Sequence, residues 1–423
     1  MTHYQSQLEK YAELALVKGV NVQEGQGLII NAPIEAADLV RTISAKAYGK
    51  GAKNVHVEWG DEVLTFLKMK NAPMSVLENF PKWKAEGLEE MVADGYSLLS
   101  IYGPNPDLLK DVDSERVAKA NKASAEALTS YRDYIMNDKT TWSIVAYPQQ
   151  AWAEKVFPDA SPKEAQDKLW EQIFQITRVD QEDPIQAWDE HNEHLRQARE
   201  YLNQKQYKKL HYKAPGTDLS IELVHDHIWH GGSTTSEGGV EFNPNMPTEE
   251  VFTMPHKYGV QGTVSSTKPL NYGGNLIENF TLTFENGKVV DYSAESGEET
   301  LKHLLESDDG AKRLGEVALV PNESPISQSG HIFFNTLYDE NASCHLALGK
   351  AYPTNVAGGS SLDKDQMDAQ GVNDSLVHED FMMGSAEIDI DGETKDGSFE
   401  PIFRKGSWAI DFAKSTSDQE DNE

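Results

Sequence analysis

The sequence predicts a chain in two parts, an α/β N-terminal domain with a mainly parallel sheet followed by an α+β C-terminal domain. Three observations carry this. In the first half, short apolar runs alternate with helical patterns, the order in which helices pack against a parallel sheet. Two long helical stretches, 162–178 and 184–205, close that half. Beyond them the texture changes to short strand-like runs separated by glycine turns. A chain of 423 residues has room for two such domains.

Taken in order, Tyr4, Leu8, Tyr11 and Ala15 share one helical face, and Gly19 is a natural stop. Leu28–Ile30 forms a short buried-strand pattern after Gly25 and Gly27, residues 35–48 have helical spacing, and Val55–Trp59 alternates faces as a strand does. Leu98–Tyr102 and Trp142–Tyr147 are two further strands. In the second long helix, Trp188, Leu195, Ala198 and Leu202 fall on one face. Leu219–Leu223 then opens the strand-rich region. Within it, Phe280–Phe284 and Val289–Tyr292 flank Asn286-Gly287, a hairpin signal because both turn residues tolerate positive φ. The domain boundary is expected near residue 206. This gives an N-terminal domain over 1–206, a C-terminal domain over 207–414 and a tail, 415–423, with four acids and no basic or apolar residue, expected to be disordered.

Composition narrows the function classes. Apolar residues make up 38 % and charged residues 25 %, which suits a globular protein. The net charge of −31 and a pI near 4.7 oppose binding to phosphate backbones, so no nucleic-acid partner is expected. Most of the 69 acidic residues serve solubility, but some are available as hard oxygen ligands. The single cysteine, Cys344, rules out an intrachain disulfide and a multi-thiolate zinc site. The opening residues have no basic start followed by an apolar run, and no stretch reaches membrane-spanning length, so a cytoplasmic protein without a membrane partner is expected.

Several catalytic signatures are missing: His-Glu-x-x-His, a Gly-x-Ser-x-Gly elbow and a phosphate loop with its lysine. Two histidine pairs attract notice, His225 with His227 and His191 with His194. Each offers two nitrogens and no clear third ligand, so both are read as exposed or satisfied histidines. The better constellation is spread over the C-terminal half. Glu250 follows a turn-rich segment. Glu316 sits alone in the apolar run Leu314–Val320, where burial is costly unless the carboxylate is paired or bound to a cation. The competing reading, in which Glu316 points to solvent while alternate residues pack, has equal standing. Glu340 and His345 lie near each other in a loop-to-strand context, and His378 and Asp380, two apart, share one side of a strand. Together these segments supply carboxylates, which bridge cations, and imidazoles, which favour zinc or cobalt over magnesium.

At these segments the sequence resembles the M29 family of metallo-aminopeptidases. The runs Asn245–Thr253, Gly315–Val320, Asn341–Gly349 and Val377–Gly384 carry the resemblance, with Gly19–Gln26 and Ala47–Val55 in the first half. It covers essentially the whole chain. It implies two divalent metal ions per subunit, zinc or cobalt ahead of magnesium, held in the C-terminal domain by Glu250, Glu316, Glu340, His345, His378 and Asp380. Glu316 and Asp380 are the residues expected to bridge both ions. Tyr352 matches a tyrosine associated with the family's active site. The resemblance also implies a homodimer whose active sites face an internal cavity.

The activity so implied is removal of the N-terminal residue from peptide substrates by a metal-activated water. Glu316 and Tyr352 are the expected catalytic residues, with Tyr352 donating to the developing oxyanion. The proton shuttle is left between Glu316, where it is not a full ligand, and Glu379, which is adjacent but points the other way along the strand. The sequence opposes two other classes. A nucleotide-binding enzyme using acids to hold magnesium is opposed by the missing phosphate loop. A binding protein that has lost catalysis is opposed by the presence of all six ligands.

Overall fold

The structure is a computed structural model that describes residues 3–272 and 275–412. The acidic tail expected over 415–423 lies outside these residues. The chain forms two compact units, interleaved in sequence: one comprises 1–190 with 233–247, the other 191–232 with 248 onward.

The first unit is built on a five-stranded parallel sheet. Its strand order is Asn54–Gly60, Gly27–Pro33, Ser97–Tyr102, Trp142–Ala146, Asn245–Met246. Every strand expected in the first half coincides with one of the first four, with Trp142–Tyr147 running one residue past the observed end at Ala146. Leu28, Ile29 and Ile30 are fully buried, as a parallel strand covered on both faces requires. The two-residue strand Asn245–Met246 has too little pattern to be legible in sequence. The first helix, His3–Leu14, passes into a π-helical turn at Ala15–Gly19, so the predicted face holds through Tyr11 while Ala15 falls in the wider turn.

The second unit contains an eight-stranded and a four-stranded antiparallel sheet. The predicted hairpin is the pair Thr281–Glu285 and Lys288–Ser293, with Asn286 and Gly287 at φ 51° and 77°. The core joins Leu195, Ala198 and Leu202 of the helix Pro184–Lys205 to the inner faces of both sheets. The fold is therefore mixed α/β, with a parallel sheet and separate antiparallel sheets. Among the described residues no helix is long and apolar enough to cross a membrane.

Candidate metal centre

The four-stranded sheet determines the site. Its order is Val251–Thr253, Leu314–Leu319, His345–Gly349, His378–Met382, every pair antiparallel. Paired residues in a sheet project to the same side and neighbours along a strand to opposite sides. Phe252 pairs with Ala318, Ala318 with His345, Glu316 with Ala347, Ala347 with Asp380, and Gly349 with His378. One face thus collects Glu316, His345, His378 and Asp380, and Glu250 joins them just ahead of the first strand. The opposite face is apolar: Val251, Val317, Leu319, Leu346, Leu348 and Phe381 are all buried in the core. This face of the sheet anchors the strands and holds the polar face still. Of the two readings left open for Glu316, the buried one holds, since only 6 % of the residue is exposed.

Gly315 forms an irregularity in the Glu316 strand, where register shifts between Leu314 and Glu316. A Cβ there would lie 2.4 Å from the carbonyl oxygens of Gly349 and Lys350, so only glycine allows this approach. The extra residue lets Leu314 stay in the core while Glu316 faces the site.

The side chains converge. His345 Nε2 lies 3.1 Å from Glu250 Oε2 and 3.5 Å from Glu316 Oε1. His378 Nε2 lies 3.8 Å from Glu316 Oε2 and 3.6 Å from Asp380 Oδ1. Glu316 thus presents one oxygen to each imidazole and belongs to both ligand groups, Glu250–Glu316–His345 and Glu316–His378–Asp380. Glu340 lies outside both three-residue groups but within electrostatic reach of Glu250, Asp380, His345 and Glu316. Asn341 accepts the Glu249 N–H at 2.7 Å, which ties the backbone beside Glu250 to the segment that carries Glu340. The Tyr352 ring centre is 4.8 Å from that of His378.

Both imidazoles are oriented from behind. His345 Nδ1 donates to the Ser343 carbonyl at 3.1 Å, and His378 Nδ1 donates to the Lys350 carbonyl at 2.7 Å. A carbonyl can only accept, so Nδ1 keeps its proton and Nε2 is the atom free to bind a cation. These carbonyl partners were invisible in sequence because a backbone oxygen leaves no residue signature.

The charges fit a pair of divalent cations. Burial pushes Glu316 up to about 7, with Asp380 and Glu250 adding and His345 opposing. Burial also drives Glu340 well above the usual carboxylate range, and Glu250 and Asp380 add to it. Burial opposes charge on His378, yet Asp380 and Glu316 outweigh it and raise the imidazole to about 9. His345 is raised well above its ordinary value against its own burial by Glu250 and Glu316. Glu250 Oε2 and Asp380 Oδ1 are buried without a hydrogen-bond partner, although His345 Nε2 lies near the first. Four carboxylates and two neutral imidazoles carry a charge that two divalent ions would balance, and orphaned buried oxygens are the atoms such ions bind.

A cavity of about 290 Å³ adjoins this face. His378, Glu379, Asp380, Leu270, Phe334 and Met382 are among the residues that line it. Alternation turns the Glu379 backbone position away from the ligand face. Burial raises its carboxyl to about 7. The other histidines stand elsewhere. His225 is exposed beside Asp226, and His227 is buried with Nδ1 on the Val224 carbonyl. His191 bonds the Thr248 carbonyl, and His194 packs against Phe412. None of the four joins a three-ligand group among the described residues.

Comparison with known proteins agrees with this chemistry. A family model described as thermophilic metalloprotease (M29) matches residues 4–408. Aminopeptidase 2 of Geobacillus stearothermophilus is 60 % identical over 98 % of this chain and 100 % of its own length. Aminopeptidase AmpS of Bacillus subtilis is 52 % identical over 97 % of this chain and all of its own. Among solved structures, wild-type AmpT from Thermus thermophilus superposes with a TM-score of 0.91 at 43 % identity, covering 96 % of this chain and 100 % of the other.

Proposed function

This chain belongs to the M29 family of metalloproteases and is a hydrolase of the aminopeptidase class, and from that premise we propose that it removes the N-terminal residue of peptides with two divalent ions held by Glu250, Glu316, Glu340, His345, His378 and Asp380. The observation that carries the proposal is Glu316, whose two oxygens face two different imidazoles from one buried strand. Bound there, zinc or cobalt ions would supply Lewis acidity toward the peptide carbonyl and a lowered pKa for the attacking water.

The chain's own groups do the rest. Tyr352 is kept protonated, since burial raises its phenol and Glu316 and Asp380 add to the shift. Its hydroxyl is therefore a donor for the carbonyl oxygen as negative charge grows on it. Water adds to the carbonyl carbon, the C–N bond breaks, and the leaving amine takes a proton. A proton carrier needs a free carboxylate oxygen: Glu316 would serve only where it is not a full ligand, and Glu379 is the alternative carrier. The surrounding carboxylates attract the free α-ammonium of a peptide, which favours hydrolysis at the amino terminus.

The assignment places catalysis in the C-terminal part of a division at 1–206 and 207–414, in a cytoplasmic protein that acts as a homodimer. Support for the dimer comes from the helix Glu62–Asn71, which buries none of its residues. Its Val63, Leu64 and Leu67 share one face by their spacing and remain 65 %, 63 % and 47 % exposed.

The test is Glu316→Gln. Turnover of a leucine p-nitroanilide is expected to vanish in a folded protein. Chelation of the wild type should abolish activity and added zinc or cobalt restore it. Wild-type turnover by the variant, or full activity after complete metal removal, would refute the reading.

A further inference from the structure

The strand His378–Met382 is the outer strand of its four-stranded sheet, so one of its edges has no neighbouring strand. The bonds at its two ends determine which main-chain groups face that edge. Lys350 N–H donates to the Val377 carbonyl at 2.7 Å, and Met383 N–H donates to the Cys344 carbonyl at 3.0 Å. In an antiparallel ladder the main-chain groups of alternate residues point to the same side. Val377, Glu379, Phe381 and Met383 therefore bond inward, and His378, Asp380 and Met382 present their groups outward. The Met382 carbonyl agrees with this phase, since it accepts the Thr267 N–H from outside the sheet at 2.9 Å.

From Met382 back to His378 the edge is uncovered. The chain that reaches it at Thr267 continues as Lys268-Pro269, and proline has no N–H to add a further rung. Among the described residues nothing bonds the His378 N–H or the His378 and Asp380 carbonyls from that side, while the Asp380 N–H turns to its own carboxylate. The cavity of about 290 Å³ lies along this edge. Its lining includes His378, Glu379, Asp380 and Met382, whose side chains alternate between the two faces of the sheet, but no residue of the inner neighbour His345–Gly349. A space that touches both faces of an outer strand and misses the next strand lies off the edge. The rest of its lining comes from the segments 269–276 and 332–339.

We propose that a peptide substrate lies in this cavity as an added strand, its main chain beyond the scissile bond pairing with the free edge at His378 and Asp380; the proposal rests on the aminopeptidase reading above. Main-chain donors and acceptors spaced for a ladder match an extended peptide. The side chains of the same two residues belong to the ligand face. A chain paired to their backbone is therefore delivered with its first peptide bond beside that face. Such pairing reads backbone and leaves the side chains after the first residue free to vary.

The peptide Leu-Ala-Ala-Ala and two analogues test this on the metal-loaded full chain. In one analogue an ester replaces the amide between the second and third residues, and in the other the amide between the third and fourth. Each ester removes one N–H. Only alternate N–H groups of an extended chain face the same side, so one ester should lower kcat/KM at least about threefold relative to the other, the loss of one main-chain bond. Esters that differ by less overturn the proposal. A second readout is independent of turnover. The same peptide with its first peptide bond reduced to CH2–NH should slow hydrogen exchange of main-chain amides in residues 376–382, and leucinamide, which has no chain beyond its first residue, should not. Equal exchange with the two ligands also overturns it. Turnover of leucine p-nitroanilide reports separately on the underlying reading. Its absence removes the aminopeptidase activity and leaves the edge to the exchange experiment; its presence with esters of equal rate removes the edge alone.

Discussion

Glu316 and Asp380 stand on either side of Ala347, which pairs with both of them in the antiparallel register. The two carboxylates therefore project from the same face, two strands apart, over a residue with almost no side chain. Ala318 and Gly349 repeat the device in the neighbouring rows, opposite His345 and His378. Small residues under the ligand face leave the volume in which the acids and imidazoles meet.

Replacing Ala347 with leucine should fill that volume. The position is fully buried. Overpacking costs about 1–3 kcal/mol, which a chain of this size tolerates. The variant is therefore expected to fold, lose most of its bound metal and lose at least about 100-fold in turnover, the size of effect expected when catalytic groups are misplaced. Metal content by elemental analysis and turnover of a leucine p-nitroanilide check it. Wild-type metal content and turnover would show that Ala347 is only packing.

Much of this arrangement was legible in sequence, and the remainder was hidden for physical reasons. Apolar runs such as Leu28–Ile30 and Leu98–Tyr102, alternating with helical patterns, identified the parallel sheet because helices pack against such a sheet in that order. The Asn286-Gly287 turn identified its hairpin because few other pairs accept two positive φ angles. The alternation in Leu314–Leu319 left Glu316 ambiguous, since a period of two says which residues share a face but not which face is buried. Pairing with Ala347 decides that, and register between segments thirty residues apart has no local signature. The irregularity at Gly315, the Ser343 and Lys350 carbonyls behind the histidines and the short Asn245–Met246 strand are all products of tertiary approach. The ligand set itself came from family resemblance; composition and spacing alone reached only a carboxylate and histidine cluster.

Tyr352→Phe separates oxyanion stabilisation from metal binding. The ring packs on His378 and at 6.4 Å from Phe252, contacts that phenylalanine keeps. Only the donor is removed. A fall in kcat of about 10²–10³ is expected, with KM and metal content close to wild type, the loss measured when one oxyanion donor is deleted. A fall in metal content with unchanged kcat per bound metal would instead make Tyr352 part of the ligand scaffold.

The exposed face of the helix Glu62–Asn71 predicts a change in assembly. Leu64→Asp/Leu67→Asp places two charges on a surface that is apolar and open in one protomer. Surface changes of this kind alter protomer stability by only about 0.5 kcal/mol or less. Sedimentation equilibrium should give a dimer for the wild type and a monomer for the variant. A variant that remains dimeric moves the interface elsewhere, and a monomeric wild type removes the dimer from the proposal.

His227 predicts how stability responds to acid at a residue outside both ligand groups. The side chain is 3 % exposed. Its Nδ1 lies 2.9 Å from the Val224 carbonyl, and its Nε2 is buried without a partner. Burial lowers its pKa from 6.5 to about 4, with the Val224 bond opposing. The folded state therefore prefers the neutral ring, and the unfolded chain takes up the proton first as pH falls. The stabilisation is complete above pH 6.5 and is lost progressively between 6.5 and about 4. The difference corresponds to about 3 kcal/mol at the acidic end. Asparagine at this position keeps a donor near Nδ1 and cannot take up a proton. Urea unfolding of the wild type and of His227→Asn, each at pH 8 and about pH 4.5, isolates the effect from carboxylates common to both. The wild type should lose more stability than the variant on acidification, by roughly 2–3 kcal/mol. Equal losses would mean that His227 is already as easily protonated in the fold as in the open chain.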